Sequence, residues 1–381
     1  MDLGQLLKVA VERKASDLHL KVGTPPVLRI DDRLLALPDQ PRLTQDAIQA
    51  IISALLNPKQ MERFKERNEI DLAYSVPNLG RFRVNIFLQR GMVGVVLRVI
   101  PIRIQTIPEL NLPVVLEKLA LEPRGMILVT GTTGSGKSST LAAMIDQINA
   151  NRSGHVLTIE DPIEFLHRDK RCLVNQREVG ADTASFSEAL RSALRQDPDV
   201  ILVGEMRDYE TISTALVAAE TGHLVLSTLH TLDATETINR IISVFPPFQQ
   251  KQIRLQLAAV LKGVVSQRLI PRADGKGRVP AVEICIATGT VRECIIDPDK
   301  TRTLTDVIAA GVSQYGMQTF DQSLMGLYRK GLITYEEALH WCSNPDDFVL
   351  KVRGIESSSD ATWQATGQGE PPADIPGMTR F

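Results

Sequence analysis

The sequence predicts two folded parts, a small α+β domain followed by a larger α/β domain built on a mostly parallel sheet. Three observations carry this reading. From residue 113 onward, short apolar runs alternate with helical stretches, as crossover-connected parallel strands require. One of those runs opens directly onto a glycine-rich loop and then a helix. Before residue 103 the pattern is a mixture of alternating strand-like segments and helices.

In chain order, residues 1–13 place Leu3, Leu6, Leu7 and Val11 at helical spacing. The segment 16–20 alternates like a half-buried strand, and Thr24-Pro25-Pro26 breaks it. Residues 27–37 read as a hairpin turning at Asp31-Asp32. Two helices, 46–56 and 59–67, come next, then strands at 81–87 and 93–100. The first domain is set at 1–103 and a linker at 104–112, with Pro101, Pro108 and Pro113 around it. The second domain, 113–355, carries apolar runs at 126–129, 156–159, 200–203, 223–226 and 281–286. After Asp297 the pattern turns helical, through 317–329 and 335–341. The tail, 356–381, is rich in Ser, Gly, Pro and polar residues and is expected to be disordered.

Composition narrows the function. The 381 residues carry 43 Lys and Arg against 45 Asp and Glu, and a net charge of −2 argues against a nucleic-acid-wrapping protein. Aromatics are only 4% and no basic run occurs, which disfavours a single-strand translocase channel. No nucleic-acid partner is expected. The four cysteines, at 172, 285, 294 and 342, form no C-x-x-C pair, so a zinc ribbon and a disulfide scaffold are disfavoured. Apolar runs fall far short of the ~20 residues of a membrane span, and the expected location is the cytoplasm.

The chemistry concentrates in Gly131-Thr132-Thr133-Gly134-Ser135-Gly136-Lys137-Ser138, a complete G-x-x-x-x-G-K-[ST] phosphate loop. A buried strand must deliver such a loop, its glycines must wrap tightly, and its N–H groups then face phosphate oxygens. Lys137 is expected to reach the β and γ phosphates and Ser138 to ligate Mg²⁺, with Ser139 opening the helix behind them. A nucleoside triphosphate binds here. No N-K-x-D element marks guanine recognition, so the expected ligand is ATP.

Thr158-Ile159-Glu160-Asp161-Pro162-Ile163-Glu164 ends another apolar run, which puts carboxylates at the carboxyl edge of the sheet. A carboxylate there orients or deprotonates an attacking water, and surface or capping charge is the plainer alternative for any one of them. Glu205, after the run 200–203 and Gly204, is placed for Mg²⁺, with contact expected through water. His223 and His230 bracket the next run; His230, at the carboxyl edge, could sense the γ-phosphate. Arg81 and Arg83, two apart, share one strand face, and Arg98 lies on the neighbouring strand. Arginines of one domain aimed at a nucleotide held by another stabilise transferring charge. Arg195, Arg207 and Arg240 lie in the second domain, and Arg195, Arg240 and His223 are assigned with the phosphate loop to nucleotide binding.

Taken together these motifs resemble the PilT family, the type IV pilus retraction ATPases of the secretion ATPase superfamily. The resemblance spans roughly residues 1–351. It includes Ser16-Asp17-Leu18-His19-Leu20, Gly80-Arg81-Phe82-Arg83-Val84, the phosphate loop, the acidic box 158–164, residues 174–179, 197–208 and 219–231, and Gly316–Gln322. It implies a homohexamer of subunits with a PAS-like N-terminal domain and a RecA-like ATPase domain. It implies Glu164 as the leading water activator, Glu205 for magnesium, and His223 and His230 as a histidine box. It further implies retraction by pilin disassembly through an inner-membrane platform protein, at the base of the pilus machine, with a paralogous retraction ATPase as a further partner. Two departures stand out. Thr290-Val291-Arg292-Glu293-Cys294-Ile295-Ile296-Asp297 keeps only Arg292 of the family's usual C-terminal element, and Thr132 replaces a usual proline. The first leaves room for an accessory PilU-like ATPase or a related type II secretion ATPase.

Overall fold

A computed structural model describes residues 2–30, 33–77, 79–100 and 103–354. Asp31-Asp32, expected above as a hairpin turn, Pro101, expected beside the linker, and the tail 356–381 lie outside the described residues. The chain divides into two compact units, one of residues 1–104 with 164–166, the other of the remaining residues from 105.

The first unit opens with helix α1 (Leu3–Glu12), capped by the Asp2 side chain on the Gly4 N–H. Strands β1 (Asp17–Lys21), β2 (Val27–Ile30) and β3 (Arg33–Ala36) follow, then helices α2 (Gln45–Leu55) and α3 (Pro58–Arg67). Asn57 and Gln60 form a capping box that starts α3, with Pro58 in its first turn. Strands β4 (Glu69–Val76), β5 (Gly80–Gln89) and β6 (Met92–Ile100) complete an antiparallel sheet ordered β3-β2-β1-β6-β5-β4. Strand β4 is absent from the sequence reading because Glu69, Asp71 and Ser75 make it polar along its outer face. One side of the sheet packs Leu18, Leu20, Phe82, Val84, Ile86 and Leu97 against Leu6 and Leu7 of α1 and Ile48 and Ile52 of α2.

The second unit begins with α4 (Val115–Ala120), β7 (Gly125–Thr130), α5 (Lys137–Asn151), β8 (Gly154–Glu160) and β9 (Cys172–Glu178). It continues through α6 (Phe186–Ala193), β10 (Val200–Val203), α7 (Tyr209–Glu220), β11 (Leu224–Leu229), α8 (Ala234–Ser243) and α9 (Pro247–Val260). Strands β12 (Leu261–Pro271) and β13 (Arg278–Ile286) precede the helices α10 (Gly289–Ile296), α11 (Leu304–Ala310), α12 (Val312–Tyr315), α13 (Phe320–Arg329), α14 (Tyr335–Trp341) and α15 (Pro345–Val352). The seven-stranded sheet runs β13-β12-β7-β11-β10-β8-β9. All its pairs are parallel except β12 with β13. Central strands β7, β10 and β11 are buried along their whole length, as a sheet covered on both faces requires.

The departures from the sequence reading have local causes. Strand β12 continues α9 without an intervening turn, so its apolar residues merged with the helical pattern. Edge strand β9 has an apolar run of only three residues, Cys172–Val174, and then turns polar through Asn175 to Glu178. The strand expected from residue 223 starts at Leu224, because the His223 N–H and ring both engage the Ala218 carbonyl at the end of α7. The helix expected from 317 starts at Phe320, where Thr319 and Gln322 cap each other.

Candidate active site

Strand β7 carries the chain to the carboxyl edge of its sheet, where the phosphate loop begins. Gly131 has φ 138° and a Cβ there would sit 2.4 Å from the Gln267 carbonyl oxygen, so no other residue fits. Gly134 and Gly136 also take positive φ, at 79° and 94°. Helix α5 starts at Lys137 with no side-chain cap, which leaves its first N–H groups for an anion. The Lys137 ammonium is buried and donates to the carbonyls of Gly131 (2.7 Å) and Thr132 (2.9 Å). Thr132, Thr133 and Gly134 are exposed at the loop tip, and Ser138 and Ser139 are half-buried behind it. Among the described residues, the Ser135 hydroxyl and the Gln267 side-chain carbonyl are buried without a hydrogen-bond partner. The glycine cradle, the uncapped helix start, the buried cation and the orphaned Ser135 hydroxyl, which can donate to an anion, fit a polyphosphate.

The neighbouring strands bring acids and histidine to the same edge. Strand β11, beside β7, is followed directly by His230; β10, next along, is followed by Gly204-Glu205; β8, next again, ends at Glu160. The turn after β10 is fixed from β11, since the Ser227 and Thr228 hydroxyls donate to the Val203 (2.7 Å) and Gly204 (2.6 Å) carbonyls. The Glu205 carboxylate is mostly buried, with Arg207 at 2.6 Å on one oxygen and His230 Nε2 at 3.2 Å on the other. Burial pushes this carboxyl up, but the Arg207 hydrogen bond and the charges of His230 and Arg207 outweigh it and hold it below its ordinary value. An anionic Glu205 is the form that holds a metal-bound water. Among the described residues no group of three or more His, Cys, Asp or Glu side chains gathers to hold a metal by itself. A magnesium ion carried on nucleotide phosphates needs only one or two protein oxygens, and Ser138 and Glu205 are the residues that could supply them.

Glu160 is fixed by Thr158 (2.6 Å) and Gln176 (3.0 Å), both donating to Oε1. Glu164 follows the cis Asp161–Pro162 bond, is exposed, and falls in the first unit. The acidic box is further anchored by buried Glu178, which accepts the Ile163 N–H.

In the first unit, strand register lines up Arg29, Asp17, Arg98 and Arg83 in one row across β2, β1, β6 and β5. Buried Asp17 accepts from Arg98 Nε at 2.9 Å and pairs with Arg29 at 3.8 Å. Arg83 and Arg98 remain exposed, and Arg81 lies two residues from Arg83 on the same strand face.

Three residues expected to bind nucleotide stand apart from the phosphate loop of their own chain. His223 and Arg195 precede β11 and β10, so they stand at the amino edge of the sheet, opposite the phosphate loop. Arg240 is in the last turn of α8, away from the end that follows His230. Conversely, Thr228 and Gln267 belong to the site's surroundings without having been named in the sequence reading, and Arg207, named there only among the second domain's arginines, pairs with Glu205. The sequence signal for Arg207's role is its place two residues after Glu205; nothing in the sequence flags Thr228 or Gln267.

The family model described as Type II/IV secretion system protein matches residues 2–319. The chain is 49% identical to the type IV pilus retraction ATPase PilT of Pseudomonas aeruginosa, over 91% of this chain and 100% of that one. It is 42% identical to the type IV pilus ATPase PilU of the same organism, over 94% of each. Among solved structures, the pilus retraction motor PilT with bound ADP superposes with a TM-score of 0.84 at 46% identity, covering 91% of this chain and 98% of that one. The DotB ATPase of Legionella pneumophila superposes with a TM-score of 0.75 at 29% identity, covering 93% and 96%. With the nucleotide cradle and the acid-histidine edge in place, these likenesses assign the chain to the Type II/IV secretion system protein family and, within it, to the PilT family of pilus retraction ATPases.

Proposed function

We propose that the chain is an ATP-hydrolysing motor that powers type IV pilus retraction, and with it twitching motility, as a homohexamer. The observation that carries the enzymatic part is the phosphate loop standing beside Glu205 and His230 on adjoining strand ends. The loop N–H groups and Lys137 hold the phosphates, and Ser138 and Glu205 would hold Mg²⁺, which when bound neutralises charge developing between the β and γ phosphates. Glu205 keeps its anionic form through Arg207 and His230, so His230 is placed to couple the state of the γ-phosphate to the metal side. Glu164, with Glu160 as the alternative, takes the proton of the attacking water. The exposed arginines of the first unit, Arg81, Arg83 and Arg98, supply charge stabilisation to a neighbouring subunit's site in the ring. Among the described residues no helix is long and apolar enough to cross a membrane. The motor is placed in the cytoplasm, docked on an inner-membrane platform protein.

The test is hydrolysis of Mg-ATP by the purified full chain, with and without single-stranded DNA, beside the Lys137→Ala variant. Turnover indifferent to DNA and abolished in the variant supports the reading. A wild-type rate in Lys137→Ala would sink the phosphate-loop assignment. In cells, deletion should leave hyperpiliated cells that do not twitch. Normal retraction after deletion would move the assignment to the accessory, PilU-like role, for which the altered segment 290–297 in α10 already speaks.

A further inference from the structure

A chain of buried polar side chains crosses the second unit's sheet behind the site. Thr130, the residue before Gly131, pairs in register with Ser266 of β12, and Ser266 pairs with Glu283 of β13. Residues paired in register on adjacent strands share a face, so the three side chains stand in one row. The Thr130 hydroxyl donates to Ser266 Oγ at 3.0 Å, and Ser266 makes a side-chain hydrogen bond to the Glu283 carboxylate. At the far end Glu283 Oε1 accepts the Ala234 N–H at 2.8 Å, at the first turn of α8. That helix begins four residues after His230. Its approach is locked by Thr231 and Thr237, hydroxyl to hydroxyl at 2.6 Å, and by Thr237 donating to the Asp233 carbonyl. Thr130, Ser266, Thr237 and Ala234 are at most 1% exposed, and Glu283 is 4% exposed.

We propose that Glu283 is a positioning residue that couples the strand bearing the phosphate loop to the segment bearing His230. This rests on the ATP-hydrolysis reading above. An isolated acid at this depth is costly, and its neighbours only partly offset the cost. The groups facing it are the Ala234 N–H and the Asp233 carboxylate on α8, the Ser266 hydroxyl and Arg268 on β12, and Cys285 further along β13. Arg268 is itself engaged by the Phe320 ring and the Trp341 carbonyl.

The row has two hydrogen-bond orders. With Glu283 ionised, Thr130 donates to Ser266 and Ser266 to the carboxylate. With Glu283 protonated, its O–H points to Ser266 Oγ, the Ser266 hydrogen turns to Thr130, and the Thr130 hydrogen must leave the row. The change therefore arrives next to Gly131, whose carbonyl holds the Lys137 ammonium. Burial pushes the Glu283 carboxyl up to about 7, against which the Ala234 N–H works, so both orders are populated near neutral pH.

The experiment measures ADP affinity and ATP turnover from pH 6 to 8.5 for the wild type, Glu283→Gln and Ser266→Ala, all as full chains. Glutamine keeps the acceptor for Ala234 and a donor for Ser266, so it holds the protonated order at every pH. The expected wild-type result is a step centred near pH 7 of about fivefold in turnover or in ADP affinity, the low end for coupled sites. The step should vanish in Glu283→Gln, with values matching the low-pH wild type, and shrink in Ser266→Ala, which cuts the row without touching the acid. A wild-type step that persists in Glu283→Gln overturns the proposal. So does a Glu283→Gln loss of the same factor at every pH, which marks a purely structural residue. If the wild type binds ADP but hydrolyses nothing, the enzymatic reading fails, while the pH dependence of ADP affinity still decides the coupling.

Discussion

Replacing Glu283 with glutamine should stabilise the second unit, by an amount that grows between about pH 4.5 and 7 and levels off above. Burial, opposed by the Ala234 N–H, raises this carboxyl from 4.5 to about 7. At 1.36 kcal/mol per pH unit, the shift corresponds to about 3 kcal/mol. Below pH 4.5 the acid is protonated whether the chain is folded or not, and it costs nothing. Between pH 4.5 and 7 the unfolded chain releases the proton while the folded one keeps it, so stability falls as pH rises. Above pH 7 the loss is complete and constant. Glutamine carries no proton to lose. The stability difference between variant and wild type should therefore open from about 0.8 kcal/mol at pH 5 to about 3 kcal/mol at pH 8. Urea denaturation at the two pH values, following the transition of the second unit, reads it directly. A difference that stays constant between pH 5 and 8, or that favours the wild type at pH 8, would refute a buried acid that is neutral by preference.

Two further outcomes concern the chemistry. Glu164→Gln should keep nucleotide affinity while slowing single-turnover hydrolysis by ~10²–10⁴-fold, the usual worth of general-base assistance; unchanged hydrolysis there, with loss in Glu160→Gln, moves the role to the acid fixed by Thr158 and Gln176. Mixed rings of Arg98→Ala and Lys137→Ala subunits should regain activity that neither has alone, because an arginine supplied in trans is worth ~10³–10⁵-fold. Since Arg98 also serves buried Asp17, Arg83→Ala is run beside it. Full activity in both arginine variants would place the finger elsewhere.

The sequence was most legible where one physical requirement dominates. The phosphate loop needs glycines, a lysine and a flanking strand and helix, and all of these are adjacent in the chain. The buried strands β7, β10 and β11 show as uninterrupted apolar runs for the same reason. His223 and His230 bracket one strand, and strand direction, legible from the sequence, puts only His230 at the carboxyl edge beside the phosphate loop. Legibility failed where a requirement is met across the fold. Glu283 reads as one acid inside an apolar strand, and only the register with Ser266 and Thr130 reveals its company. The row of Arg29, Asp17, Arg98 and Arg83 likewise exists only through pairing across four strands.

The strand order of the second sheet has a consequence for how the molecule is made. Strand β7 emerges early, yet its two neighbours are β11 and β12, and Thr130 meets Ser266 across 136 residues of chain. At synthesis rates of ~5–20 residues per second, that gap lasts roughly 7–27 s. Throughout it the nascent phosphate loop lacks the Gln267 carbonyl that packs against Gly131 and the strand that flanks it. Pairings of such long range are also slow to close. A ribosome-bound chain that stops before β12 is complete should hold no nucleotide, whereas one that has passed β13 should. Nucleotide capture would thus report that the sheet is finished.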